Sequence, residues 1–105
     1  MARWTESMAE MQHLARMNQE LWKAIEGGMI IKVRLKDDRD FEGVFCGQSV
    51  GNNVRTMSFA SSYYGDLRLW TLDGSMVEID VLDTQIIVNC TSPEKLRQYG
   101  QAGII

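Results

Sequence analysis

Ile31-Lys-Val-Arg-Leu-Lys-Asp-Asp-Arg-Asp-Phe-Glu-Gly-Val-Phe-Cys-Gly47 is the stretch that decides the fold. Ile31, Val33 and Leu35 alternate with Lys32, Arg34 and Lys36, the period-two signature of a strand with one buried face. Asp37 and Asp38 supply turn chemistry, because their carboxylates bond the backbone and they tolerate a left-handed conformation. A second strand runs from about Phe41, with Gly43 and Gly47 in its interior. Glycine weakens a strand, so two of them point to a bulge, a bend or a close backbone contact. The stretch therefore reads as a hairpin whose second strand is strongly curved, as a small sheet needs in order to close into a barrel.

Downstream, Gln48 to Asn53 is polar and reads as a loop. A strand restarts near Val54, with Met57 and Phe59 at period two. Ala60 to Asp66 reads as a second loop. Leu67 to Leu72 is strand-like again, and Asp73-Gly74 is a strong hairpin signal. From Met76 to Leu82, Val77, Ile79 and Val81 face one way while Glu78 and Asp80 face the other. Asp83-Thr84-Gln85 interrupts the alternation before a last short strand, Ile86 to Val88.

Upstream, Thr5 to Glu26 reads as a helix. Ser7 with Glu10 fits a capping box, and Thr5 competes as the cap. Met8, Met11, Leu14, Ala15, Leu21, Trp22 and Ile25 recur at helical spacing as one apolar stripe, suited to a core, a barrel end or a neighbouring subunit. Gly27-Gly28 stops the helix. At the other end, Ser92-Pro93-Glu94 starts a short helix that ends at Gly100. The predicted organisation is one domain over residues 1–105: helix 5–26, barrel 29–90, helix 92–100. Its fold class is mainly β with an N-terminal α-helix, the strands forming a strongly bent five-stranded antiparallel sheet or small open barrel.

The 105 residues are 45% apolar and 24% charged, ordinary for a globular domain. No apolar run is long enough to span a bilayer and no secretory signal is visible, so the expectation is a cytoplasmic protein with no membrane partner. Cys46 and Cys90 are too few for a disulfide framework or zinc site and are expected to pack as small hydrophobes. His13 lacks neighbouring ligands or a nucleophile, and no phosphate loop, nucleophile elbow or paired-carboxylate cleft is present. The chain is read as neither an enzyme nor a cofactor or metal binder. The net charge of −3 argues against a grip on nucleic acid through phosphates overall, leaving a local site.

Val33 to Arg39 followed by Phe41-Glu-Gly43-Val-Phe45 resembles the Sm-like family, the eukaryotic Sm and Lsm subunits and the bacterial Sm-type RNA chaperone. The resemblance covers roughly residues 20–90. It implies a bent five-stranded sheet, cyclic homo-oligomers that pair the fourth strand of one subunit with the fifth of the next, and single-stranded RNA bound beside the pore. The family's Asp and Asn after the glycine correspond to Ser49 and Asn53. The second motif falls on Asp83-Thr84, where an acid stands in place of a basic residue. The family's base-stacking position is Gly51, which has no ring to offer.

Expected RNA contacts are thus Ser49, Asn53 and Thr84, with Asn53 either reading a base edge or tying down its own loop. Tyr63 and Tyr64 with Arg55 and Arg68 form a second candidate, since rings stack on bases and guanidinium pairs with phosphate. Lys32, Arg34, Lys36 and Arg39 read as a solvated face balanced by Asp37, Asp38 and Asp40. Ile86, Ile87, Val88, Val77 and Ile79 are the expected subunit interface, and Trp70 is expected to point outward. Two functions follow: a ring-forming, single-stranded RNA-binding subunit, or an assembly module of the same fold that works through protein contacts alone.

Overall fold

The computed structural model describes residues 3–53 and 62–105. Helix α1 (Met8–Glu26) leads into β1 (Ile30–Leu35), β2 (Asp40–Asn53), β3 (Ser62–Trp70) and β4 (Met76–Asp80). A 3-10 turn (Val81–Asp83), β5 (Thr84–Asn89) and α2 (Pro93–Gln101) follow. The strands make one antiparallel sheet in the order β4-β3-β2-β1-β5, leaving β4 and β5 as its two edges.

The alternation in β1 does what its pattern predicts. Ile31, Val33 and Leu35 are buried on the inner face while Lys32 and Arg34 are exposed on the outer one. Val33 pairs with Phe41 across the Asp37-Asp38 turn, where Asp38 takes φ 68°. The bend in β2 has two sources. The ladder to β3 slips between Phe45 and Gly47, leaving Cys46 as the extra residue of a bulge. Gly43 lies so close to β3 that a Cβ there would stand 2.5 Å from the Trp70 carbonyl oxygen.

β2 and β3 extend past the body of the sheet as a two-stranded arm, drawing the molecule out to 53 × 25 × 19 Å. Two loop expectations are corrected here. Gln48–Asn53 continues β2, and the segment from Ser62 to Asp66 belongs to β3, with Ser49 opposite Asp66 and Gly51 opposite Tyr64. The strand expected at Val54, Met57 and Phe59 lies outside the described residues. The interruption expected at Asp83–Gln85 comes earlier, as the 3-10 turn, so that Thr84 and Gln85 open β5.

Ser7 caps α1, its side chain accepting from the Glu10 N–H at 3.1 Å. Thr5 instead joins the sheet: its N–H donates to the Tyr63 carbonyl, and its hydroxyl accepts from the Tyr63 N–H. The single stripe expected on α1 divides. Leu14, Met17, Leu21 and Ala24 are buried with Leu67, Leu69, Val81 and Ile87 on the inner face, each large side chain contributing ~1.5–3 kcal/mol. Met8, Ala15 and Trp22 stay exposed. On the outer face, α2 packs Tyr99 on Ile30 and Val44 in a second, smaller core. The Tyr99 hydroxyl donates to Glu42 Oε1 at 3.1 Å, and the Lys95 ammonium donates to the same carboxylate at 3.0 Å.

Candidate functional site

The outer face of the β2–β3 arm gathers three of the expected RNA contacts. Because β2 offers glycine at 47 and 51, long side chains of β3 lie flat across it. Arg68 covers Gly47, and the Tyr64 ring covers Gly51. Arg68 Nη1 donates to Ser49 Oγ at 3.2 Å and to Asp66 Oδ1 at 3.0 Å. Trp4 meets Tyr64 edge to face, with ring centroids 5.0 Å apart and planes at 74°. The Tyr64 ring thus lies across position 51 from the facing strand. Its guanidinium neighbour is already paired with Asp66, a buried carboxylate.

The other expected contacts are dispersed. Tyr63 turns to the opposite face, where it lines a cavity with Met11, Leu14, Ala15 and Asn18. Asn53 ends β2 with its backbone paired to Ser62. Arg55 lies outside the described residues. Thr84 is wholly buried, and its hydroxyl donates to the Val81 carbonyl at 2.6 Å.

Asp83, the acid at the second motif, has a partner far away along the chain. Arg3 donates to Asp83 Oδ1 at 3.0 Å and to Glu10 Oε2 at 3.2 Å, and its Nε lies 3.6 Å from Asp80 Oδ2. The hydrogen bond to Asp83 holds the guanidinium above its ordinary value. The Arg3 backbone N–H also donates to Asp80. The N-terminal segment therefore straps the end of β4 to the start of α1.

His13 is held between two elements. Its Nε2 donates to the Thr84 carbonyl at 2.7 Å, and Nδ1 accepts from Arg16 at 2.8 Å. This arrangement requires the neutral ring, and burial pushes its pKa down. Among the described residues no group of metal-ligating side chains converges. The basic face of the first hairpin is balanced internally, Arg34 and Lys32 by Asp40, and Arg39 by Asp37. Cys46 is exposed, against the expectation that it packs; Cys90 is half-buried, and burial pushes its thiol up.

The two sheet edges are chemically unlike. On β5, Ile87 points into the core while Ile86 and Val88 stand outward, 41% and 46% exposed, around a cavity of about 190 Å³ shared with Lys32, Arg34 and Asp40. On β4, Ile79 is buried and Val77 packs against the core. Met76 and Glu78 are exposed beside the outward Trp70, which pairs with Met76. Ile87, Ile79 and Val77 thus give their side chains to their own core, which leaves only their backbone to an edge contact.

This architecture has a known counterpart. The chain is similar to a Xanthomonas campestris protein whose crystal structure is described as a novel variant of the Sm-like motif. The two superpose with a TM-score of 0.61 at 13% identity, over 87% of this chain and 96% of that one. The protein thus has an Sm-like fold: an N-terminal helix, an open five-stranded antiparallel sheet and here a short C-terminal helix. No family model matches its sequence, and no curated protein sequence does either. No helix among the described residues is long and apolar enough to cross a membrane.

Proposed function

We propose that the protein is a self-assembling Sm-like subunit that closes into a ring by pairing β4 of one copy with β5 of the next. The observation that carries this reading is the sequence of β5. Ile86-Ile-Val88 is an unbroken apolar run, the pattern of a strand covered on both faces, yet β5 occupies an edge with its outer face bare. A neighbouring β4 would bring Met76 to that bare face and Glu78 and Asp80 towards Lys32 and Arg34. Unlike edges join head to tail, and a head-to-tail contact whose rotation closes makes a ring.

Light scattering behind size exclusion tests this. Wild type is expected at a multiple of the 12.0 kDa subunit, and Ile86→Lys with Val88→Lys is expected to reduce that mass while the inward core stays folded. A wild type that runs as a monomer at every concentration overturns the reading.

A second reading, single-stranded RNA binding, is favoured by one observation, the Tyr64 ring over Gly51 next to Trp4 and Arg68. In this reading the arm stacks a base on Tyr64, and Ser49, Asn53 and Arg55 remain its candidate polar contacts. Fluorescence anisotropy with labelled oligo-U and oligo-A tests it at low and physiological salt. Stacking contributes ~1–3 kcal/mol per base, so Tyr64→Ala is expected to weaken binding about 5- to 160-fold. No binding at micromolar protein, even at low salt where phosphate contacts are strongest, eliminates RNA and leaves the assembly module.

A further inference from the structure

We infer that the outer face of the β2–β3 arm is a double platform for two unstacked bases of one single strand. The Tyr64 ring takes one base, and the flat of the Arg68 guanidinium takes the other. This use of Arg68 rests on the RNA reading and deepens it, because the residue offers its plane to a base instead of its charge to a phosphate.

The observation that carries it is how Arg68 is held. A Cβ at Gly47 would meet Arg68 Nη2 at 2.9 Å, Nε at 3.4 Å and Cζ at 3.5 Å. Three guanidinium atoms at such similar range mean that the group lies face down on the strand. Its edge is engaged: Nη1 donates to Asp66 Oδ1 at 3.0 Å and to Ser49 Oγ at 3.2 Å, and Glu78 faces Arg68 in register from β4. A guanidinium set among two acids keeps little attraction for a phosphate. Its upper face remains, on a side chain that is 31% exposed. A planar, weakly hydrated guanidinium stacks on aromatic rings, which a lysine ammonium does not do.

Tyr64 repeats the arrangement four residues along β2. Its ring covers Gly51 as Arg68 covers Gly47, with Trp4 against it. The register between β2 and β3 runs unbroken from Gly47 opposite Arg68 to Gly51 opposite Tyr64. Side chains alternate along a strand, so positions 47 and 51 share the outer face. The two platforms therefore face the same way, side by side, about 13 Å apart at ~3.3 Å per residue. Stacked bases instead face one another, at a rise of only ~3.4 Å along a strand. A duplex or a stacked strand presents no two base faces side by side, and a splayed single strand does. Ser49 lies between the platforms, where the intervening nucleotide would cross.

The test is fluorescence anisotropy of the full chain with labelled oligo-U at low salt. Arg68→Lys keeps the charge and removes the plane, whereas Arg68→Gln keeps a planar amide and removes the charge. Both are checked against wild type by circular dichroism and melting curve. Loss of stacking is expected to make Arg68→Lys at least about 5-fold weaker than wild type, with Arg68→Gln between the two. In Tyr64→Ala combined with Arg68→Lys the two losses are expected to multiply, because groups more than ~10 Å apart that hold different bases act independently. Arg68→Lys binding as tightly as wild type, or more tightly than Arg68→Gln, makes Arg68 a charge contact and overturns the inference while the RNA reading stands. A double variant no weaker than the weaker single one has the same meaning for the platform, since it places both groups on one base. Failure of wild type to bind oligo-U at micromolar protein removes the RNA reading and the double platform together.

Discussion

Gly43→Ala is the sharpest test of how β2 acquires its bend. The added methyl would stand 2.5 Å from the Trp70 carbonyl oxygen, 2.9 Å from its carbon and 3.0 Å from Leu69 Cβ. Ordinary carbon contacts sit near ~3.5–4 Å, so β3 must retreat by roughly 1 Å. The neighbour in the way is backbone, held by the ladder on both sides, and it has no rotamer through which to yield. Overpacking of this kind costs ~1–3 kcal/mol. Removing a strand glycine returns about 0.5–1 kcal/mol through the unfolded chain, which leaves a net loss of ~1–2 kcal/mol. For a domain of this size that lowers Tm by about 5–15 °C. The assay is urea unfolding followed by tryptophan fluorescence at fixed protein concentration, since assembly adds its own concentration-dependent stability. The midpoint is expected to fall with an unchanged m-value. Gly100→Ala is the companion, because nothing lies within 4 Å of that position in α2. Helix propensity alone should there raise stability by ~0.5–1 kcal/mol. A Gly43→Ala midpoint equal to or above wild type would refute the close-approach account of the curvature.

Further outcomes follow from the polar contacts. Burial first, and then the Glu42 carboxylate, raise the Tyr99 phenol well above its ordinary value. The unfolded chain releases this proton near pH ~10 while the folded one keeps it, so stability falls as pH rises past ~10. Tyr99→Phe is expected to abolish that alkaline loss in thermal melts, at a cost of ~1–2 kcal/mol at neutral pH. His13 has the opposite slope. Its folded pKa lies below the unfolded value of ~6.5, so the unfolded chain binds the proton first and stability is lost as pH falls below ~6.5. In His13→Gln that acid step should disappear from a series of melts between pH 7 and 5, and a persisting step would assign it to other groups. Arg3→Ala should cost under ~1 kcal/mol, because its side chain is half exposed, and most of the loss should vanish in high salt. A large, salt-insensitive loss would mean that Arg3 acts by packing instead of charge.

The sequence is legible where a strand buries one face and exposes the other. β1 shows this in Ile31, Val33 and Leu35, and β4 shows it in Ile79 against Glu78. The arm looks like loops in the sequence because Gln48–Asn53 carries no apolar alternation, and its glycines and asparagines resemble turn chemistry. Those glycines are instead the floor on which Tyr64 and Arg68 lie, a relation between strands that no single segment displays. The role of Arg3 is hidden for a similar reason: its partners Asp80 and Asp83 are some eighty residues away, and no local spacing links them. Thr84 sits at a motif position by resemblance, yet its hydroxyl is used three residues back at Val81.

The two elements whose side chains were hardest to orient share a cause. In Ile86-Ile-Val88 and along α1, apolar residues occur at more positions than one buried face requires, so periodicity cannot say which ones point inward. The fold settles it by using Ile87 on β5, and Leu14, Met17, Leu21 and Ala24 on α1. What remains on β5 is the outer pair Ile86 and Val88 on an edge strand, and what β4 offers at the other edge is Met76 and Glu78. The proposed ring needs these two unlike edges to meet, so lysine at 86 and 88 is expected to lower the mass seen by light scattering, whereas the same substitution at Met8, which lies on neither edge, is expected to leave it unchanged.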